Sequence, residues 1–106
     1  MTGTHPRHRL DELLTHAVRL SIVAALAGAD RAEFALVRDS VEITDQMLSK
    51  QVALLENAGY IDVEKKRVAR RVRTWLKLTD TGHVAYRNHI EALQSIAETA
   101  IGQPNT

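Results

Sequence analysis

Cysteine is absent from this 106-residue sequence, which excludes disulfide bonds, iron–sulfur clusters and thiolate metal sites. The sequence also lacks an apolar run near the roughly 18 residues that a membrane-spanning helix requires. Residues 1–9 are polar and basic, and no apolar stretch of the secretory type follows them. Because a cysteine-free chain suits a reducing compartment, these absences predict a cytoplasmic protein without a membrane segment.

Motifs of catalysis and of metal binding are missing as well. The sequence has no glycine-rich phosphate loop, no nucleophile elbow and no pair of carboxylates in a predicted cleft. Five histidines are present, but His83 and His89 lie six residues apart, so that they would face different sides of one helix. We therefore predict that the chain is not an enzyme and binds neither a metal ion nor another cofactor.

Positive charge is concentrated in one part of the sequence, although the net charge is only +1. Half of the 14 lysines and arginines fall in 13 residues that include no Asp or Glu. These cations are Lys65, Lys66, Arg67, Arg70, Arg71, Arg73 and Lys77. Such a concentration predicts one basic surface that contacts nucleic acid, and the alternative is a solvated charged face without a partner.

The spacing of the apolar residues predicts a fold that is mainly α, with a small β-hairpin. The expected elements are a helical turn at 10–14, helices at 16–27, 32–40 and 44–58, strands at 60–64 and 72–78, and a long helix at 80–101. These elements form a single domain at 10–101. The remaining residues, 1–9 and 102–106, are predicted to be a flexible N-terminus and a flexible tail.

Two helices joined by a tight connection precede the hairpin, which is the pattern of a helix–turn–helix. The second of them begins at Thr44, a residue type that caps helices well. Asp45 is interpreted as stabilising this helix start through the helix dipole, and the alternative is a hydrogen bond to cytosine. Leu48, Val52 and Leu55 share one face of the helix and are predicted to point into the core.

The opposite face of this helix carries short polar, amide and cationic side chains, which are the groups that read base edges in a major groove. The predicted DNA-binding residues of the helix are Thr44, Gln46, Ser49, Lys50 and Ala53. Asn57 lies on the same face, but we expect the N-terminal half of the helix to do most of the reading.

The basic hairpin is predicted to supply affinity, because cations that neutralise phosphates release counterions from DNA. The predicted phosphate contacts are Lys65, Lys66, Arg67, Arg70, Arg71 and Arg73. Arg70 and Arg71 are the favoured residues for the tip, where an arginine could also enter a narrow minor groove. The loop expected at 66–72 contains neither glycine nor proline, so the sequence leaves its turn type open.

Three stretches of this sequence resemble MarR- and ArsR-type winged-helix regulators, in the same order. Residues 48–61 (LSKQVALLENAGYI) look like their recognition helix and first wing strand. Residues 16–22 (HAVRLSI) are similar to the start of their first core helix, and residues 73–82 (RTWLKLTDTG) to their second wing strand and the Thr-x-x-Gly that opens the last helix. The resemblance covers about 10–96 and is best to minimal, stand-alone members.

The resemblance implies a winged helix-turn-helix with an N-terminal and a long C-terminal dimerisation helix. It further implies a homodimeric transcriptional regulator, more often a repressor than an activator, that binds an inverted repeat in double-stranded DNA. Related regulators often sense a small-molecule effector between the dimerisation helices and the DNA-binding lobe, and nothing in this sequence identifies one.

An apolar stripe with nearly heptad spacing on the last helix independently favours a dimer. It offers more apolar surface than one small core needs. The predicted dimer interface consists of Leu10, Leu13, Leu14, Tyr86, Ile90, Leu93, Ile96 and Ala97.

Two other functions are compatible with the same fold. In the first, the chain is a protein-interaction module whose basic wing binds an acidic partner. In the second, it is an architectural DNA binder that has similar affinity for all duplexes. The salt and sequence dependence of DNA binding would separate these alternatives.

Overall fold

A computed structural model describes residues 4–102 of the chain. It consists of four α-helices, two short 3₁₀ turns and a three-stranded antiparallel sheet, which confirms the predicted fold class. The helices are α1 (Ala17–Ala27), α2 (Phe34–Val41), α3 (Asp45–Asn57) and α4 (Asp80–Ala97). The strands are β1 (Ala32–Glu33), β2 (Ile61–Val68) and β3 (Arg71–Leu78), and the 3₁₀ turns are Pro6–Arg9 and Leu13–Thr15.

Strand β1 replaces the first turn of a predicted helix. The apolar spacing predicts that this helix starts at residue 32, but Ala32 and Glu33 pair with Leu76 and Trp75 of β3, and α2 begins only at Phe34. The sheet order is therefore β1-β3-β2. Pairing with a distant strand has overridden the helical preference of Ala and Glu, which is a weak local effect.

The hairpin of β2 and β3 is longer than predicted, because most of the expected basic loop is strand. Its ladder continues to the pair Val68 and Arg71, so that only Ala69 and Arg70 form the turn. Ala69 has a φ of 57°, a left-handed conformation that glycine adopts more easily than other residues. A two-residue turn with a positive φ at its first residue matches the twist of the strands and needs no proline.

The core lies between the helices and one face of the sheet. Leu48, Val52 and Leu55 of α3 are buried there, as their spacing predicts. From the sheet, Ile61 of β2 and Leu76 of β3 meet them. Burying each such side chain contributes about 1.5–3 kcal/mol relative to leaving it exposed, so this layer fixes α3 against the hairpin.

Capping fixes both ends of α3. The Thr44 hydroxyl accepts a hydrogen bond from the backbone N–H of Met47 at 3.1 Å, which confirms the predicted N-cap. At the other end Gly59 has a φ of 82°, and its N–H donates to the carbonyl of Glu56. The N–H of Tyr60 donates to the carbonyl of Leu55 in the same closing turn. The helix therefore ends where the wing strand must begin.

Helix α4 is capped by Thr79, whose hydroxyl accepts from the N–H of Gly82 at 2.9 Å. It ends at Ala97, four residues before the predicted end at 101. Within residues 4–102, no helix is both long enough and apolar enough to cross a membrane.

The N-terminal segment, residues 4–15, includes part of the end predicted to be flexible (1–9), of which residues 1–3 lie outside the described part of the chain. Pro6–Arg9 forms a 3₁₀ turn beside α4, and the Arg9 guanidinium donates to the Ser95 hydroxyl at 3.0 Å. Further along, the N–H of Asp11 donates to Nδ1 of His89 at 3.0 Å. Residues 102–106 lie almost wholly outside the described part of the chain.

His89 makes the stability of the fold sensitive to pH. Burial lowers the pKa of its imidazole below the ordinary value, against the opposing effect of the Asp11 carboxylate. The unfolded chain therefore gains a proton near pH 6.5 that the folded chain resists. We expect stability to be fully present above this pH and to fall as the pH is lowered through it.

Urea unfolding between pH 5 and pH 8 measures this effect. His89→Asn keeps an acceptor near the position of Nδ1 but has no proton to gain, so its stability should vary less with pH than that of the original chain. Parallel pH profiles for the two chains would show that His89 does not titrate differently on folding.

Candidate nucleic-acid interface

The outward side of α3 presents the side chains that the sequence assigned to base reading. Gln46, Ser49, Lys50 and Ala53 are all exposed. Helical geometry puts Gln46, Lys50 and Ala53 on one line, with Ser49 at its flank. Thr44 is exposed too, but its hydroxyl is engaged in capping. The structure therefore brings four of the five predicted residues together on one accessible helix face.

Arg38 of α2 neutralises the acidic start of α3, a role that the sequence pattern did not predict. Its guanidinium donates to Asp45 at 2.9 Å and to Asp39 at 2.8 Å. The hydrogen bonds to Asp39 and to Asp45 raise the pKa of Arg38, and the bond to Asp39 lowers the pKa of that carboxyl. Asp45 is thus held by a cation at the start of α3.

The cations of the hairpin are divided between its two faces. Residues opposite each other in an antiparallel ladder point to the same side. Lys65 pairs with Thr74 and Arg67 with Val72, on the face that continues the core-facing row of Ile61. The other face carries the remaining strand cations, Lys66, Arg71, Arg73 and Lys77. Arg70 lies in the turn.

Among residues 4–102, some cations of the hairpin form ion pairs with carboxylates, and others do not. Lys66 Nζ lies 3.8 Å from a carboxylate oxygen of Glu64, and the Arg73 guanidinium lies 3.3 Å from Glu33. Arg31 pairs with Glu64 at 3.0 Å, and its guanidinium lies over the Trp75 ring, 4.2 Å from the centroid. In the part of the chain that the structure describes, no ion pair engages the other wing cations, Lys65, Arg67, Arg70 and Arg71.

A cleft of about 300 Å³ separates α3 from the hairpin. Ser49, Ala53 and Glu56 line it on the helix side, and Lys65 and Thr74 on the strand side. The reading face of α3 and the basic hairpin therefore border one concave surface. This surface can place a helix in a groove while the hairpin reaches the adjacent backbone.

The predicted dimer interface is corrected at Leu14. Its side chain is 0% exposed and packs with Ile22 in the core of one protomer, so it is not available to a second copy. The helical turn around it folds back onto α1, which the sequence pattern did not show. Leu10, Leu13, Tyr86, Ile90 and Ile96 are half-buried, and Leu93 and Ala97 are exposed. Val84, 48% exposed, adds an apolar side chain to α4 that was not predicted.

Metal ligands do not converge in the described residues: between 4 and 102 no three His, Asp or Glu side chains form a group that could hold an ion.

Comparison with protein families finds a match over most of the chain. The model of a family described as winged helix DNA-binding domain matches residues 18–97. A protein of Methanocaldococcus jannaschii that is itself uncharacterised is 33% identical over 84 residues, which are 78% of this chain and 91% of that protein. The region matched by the family model includes α3 and the whole hairpin.

Solved structures share the fold. A transcriptional regulator homologue from Pyrococcus horikoshii has a TM-score of 0.77 and 25% identity, over 83% of this chain and 87% of that one. A MarR family transcriptional regulator from Streptomyces coelicolor, solved in complex with DNA, has a TM-score of 0.64 and 24% identity, over 92% of this chain and 68% of that one. The architecture of this chain is thus that of MarR-type regulators.

Proposed function

Because this chain belongs to the winged helix DNA-binding domain family, we propose that it is a homodimeric, sequence-specific transcriptional regulator, most simply a repressor. One observation carries the proposal: the exposed face of α3 and Lys65, an unpaired cation of the hairpin, border the same concave surface. The helix offers groups that distinguish base pairs, and the hairpin offers charge.

In the proposed complex, α3 of each protomer enters a major groove with its N-terminal half foremost. Gln46, Ser49 and Lys50 contact base edges there, and Ala53 offers a methyl group. The hairpins lie along the flanking backbone, where Lys65 and Arg67 face the same side as α3. Two copies related by a two-fold axis place their helices about 34 Å apart on an inverted repeat.

The second protomer covers the apolar side of α4 in this proposal. Leu93 is 38% exposed, and Ile90 and Ile96 are half-buried beside it. Burial of such side chains against a copy of the same helix favours association. A dimer bound across a promoter represses by excluding the transcription machinery.

Selection from a randomised duplex pool tests the proposal. The purified chain is incubated with the pool at low and at moderate salt, and the retained duplexes are sequenced. An enriched inverted repeat is the expected result. Retention without a motif, lost steeply as salt rises, would favour an architectural DNA binder, and no retention even at low salt would favour a protein-interaction module.

Lys50 provides a test of base reading. Lys50→Ala should relax the preference at one base position of each half-site, with a loss of about 1–3 kcal/mol for the preferred base. Lys77→Ala is the matched control, because it removes the same charge from an exposed residue outside α3. Repeating the selection with both variants gives the readout. An unchanged motif for Lys50→Ala would contradict the assigned role.

A further inference from the structure

Gln51 is a polar residue on the buried side of α3. It is 4% exposed, although it lies between Lys50 and Val52 on the predicted recognition helix. Its Oε1 accepts a hydrogen bond from the Arg19 guanidinium of α1 at 2.9 Å, and its Nε2 donates to the sulfur of Met47 at 3.4 Å. The amide is thus held by partners inside the protein and does not face the groove.

Arg19 is held at two points. Besides the bond to Gln51, its Nε donates to the carbonyl of Leu13 at 2.7 Å. Throughout residues 4–102 its guanidinium forms no ion pair, so its charge rests on neutral acceptors. Because a guanidinium is planar and its N–H groups have fixed directions, two hydrogen bonds from it fix both the distance between its partners and their relative orientation. Here the partners are the N-terminal segment and α3.

The N-terminal segment is in turn fixed to two other parts of the protein. The Asp11 carboxylate accepts from the N–H of Leu13 at 2.8 Å and from the hydroxyl of Tyr60, which directly precedes β2. Burial and this contact with Asp11 raise the pKa of the Tyr60 hydroxyl to about 12, so that it remains a donor at neutral pH. The backbone N–H of Asp11 reaches His89 of α4. A continuous series of hydrogen bonds therefore runs from α4 to α3.

We infer that Arg19 is a positioning residue for DNA reading: it holds α3 at a fixed orientation relative to the N-terminal segment and α4. The inference rests on the proposed function, in which α4 joins two protomers. In that proposal α4 sets the relative orientation of the two protomers. The Arg19–Gln51 contact then fixes the orientation of each α3 relative to the other.

Specific and non-specific binding depend differently on this contact. Hydrogen bonds to base edges require α3 at a set angle in the groove, whereas flexible wing cations can reach phosphates from a range of angles. Loss of the contact should therefore lower the affinity for the preferred duplex more than the affinity for a scrambled one.

Three variants separate positioning from stability. Arg19→Met removes both hydrogen bonds but keeps much of the apolar volume, and Arg19→Lys keeps the charge without the planar two-point contact. The double variant Arg19→Met/Gln51→Met replaces both partners by apolar groups, which should recover much of the lost stability because the Gln51 amide is no longer buried without its partner. Arg31→Met, an exposed arginine beside Trp75, is the charge control.

The measurement is the ratio of affinities for the selected inverted repeat and a scrambled duplex of equal length, together with the thermal midpoint. For all three Arg19 variants we expect the ratio to fall by about tenfold or more, the size of one lost base contact. The affinity for the scrambled duplex should stay within about twofold of the original. Arg31→Met should keep the original ratio.

Two results would overturn the inference. If folded Arg19→Lys keeps the original ratio, or if the double variant regains it together with its stability, Arg19 has only a structural role. If the unmodified chain itself prefers no duplex, the proposed function is contradicted, and the inference falls with it. If only the Arg19 variants behave differently from the expectation, the proposed function stands and the role of Arg19 alone is contradicted.

Discussion

Gly82→Ala is expected to lower the free energy of unfolding by about 3 kcal/mol or more, the upper part of the range for an overpacked site. A Cβ at this position would overlap the carbonyl oxygen of Tyr60 and would lie 2.8 Å from Cδ1 of Leu78. The first of these is a backbone atom, and it already accepts from the N–H of Thr79 at 3.0 Å. It cannot turn aside as a side chain could, so α4 would have to move away from the root of the hairpin.

Gly28→Ala is the matched control. No atom lies within 4 Å of the position that a Cβ would take there, and the φ of −95° suits any residue. We expect a change within about 0.5 kcal/mol, as for ordinary surface substitutions. Urea unfolding of both variants measures the difference. Similar free energies for the two would mean that the first turn of α4 does not pack against Tyr60.

Helix α3 was predictable from the sequence because each of its determinants is local. The cap at Thr44, the apolar spacing of Leu48, Val52 and Leu55, and the stop at Gly59 all lie within one short stretch. Local signals of different kinds agreed, which is the condition for a reliable prediction. The exposed face then followed, since the residues opposite a buried stripe must face the solvent.

The outer half of the hairpin was not predictable by the same means. Alternation of apolar and polar residues marks a strand only where one face is buried. Beyond Val63 both faces of β2 meet solvent, and residues 65–67 are all cations, so the pattern disappears although the ladder continues. Strand β1 is only two residues long and exists because Ala32 meets Leu76, a partner 44 residues away in the chain.

The ion pairs and the Arg19–Gln51 contact depend on tertiary placement in the same way. Arg73 and Arg71 are equivalent by sequence, yet only Arg73 meets a carboxylate, that of Glu33 on β1. A sequence shows how many cations a hairpin has, whereas the fold determines which of them remain available to phosphate. The six candidate cations therefore become four unpaired ones and two paired ones.

The double variant Arg70→Ala/Arg71→Ala tests whether the unpaired cations of the hairpin are the ones that contact phosphate. If both residues contact phosphate, a dimer loses four contacts, and the slope of log K against log salt should shrink by about 0.9 for each. At 0.1 M salt this corresponds to a loss of affinity on the order of 10³-fold for specific and scrambled duplexes alike. Fluorescence anisotropy titrations at salt concentrations from about 0.05 to about 0.3 M provide both numbers. Because Arg70 and Arg71 are exposed, the fold should be unaffected.

Lys66→Ala/Arg73→Ala removes the same charge from the same hairpin and is the matched control. These two cations are already engaged with Glu64 and Glu33 and would have to leave those partners to reach a phosphate. Their removal changes the long-range field of the hairpin as much as the other double variant does. We therefore expect a clearly smaller loss and a smaller change in slope for the control. Equal losses would show that the total field of the hairpin, and not contact by particular cations, carries DNA binding.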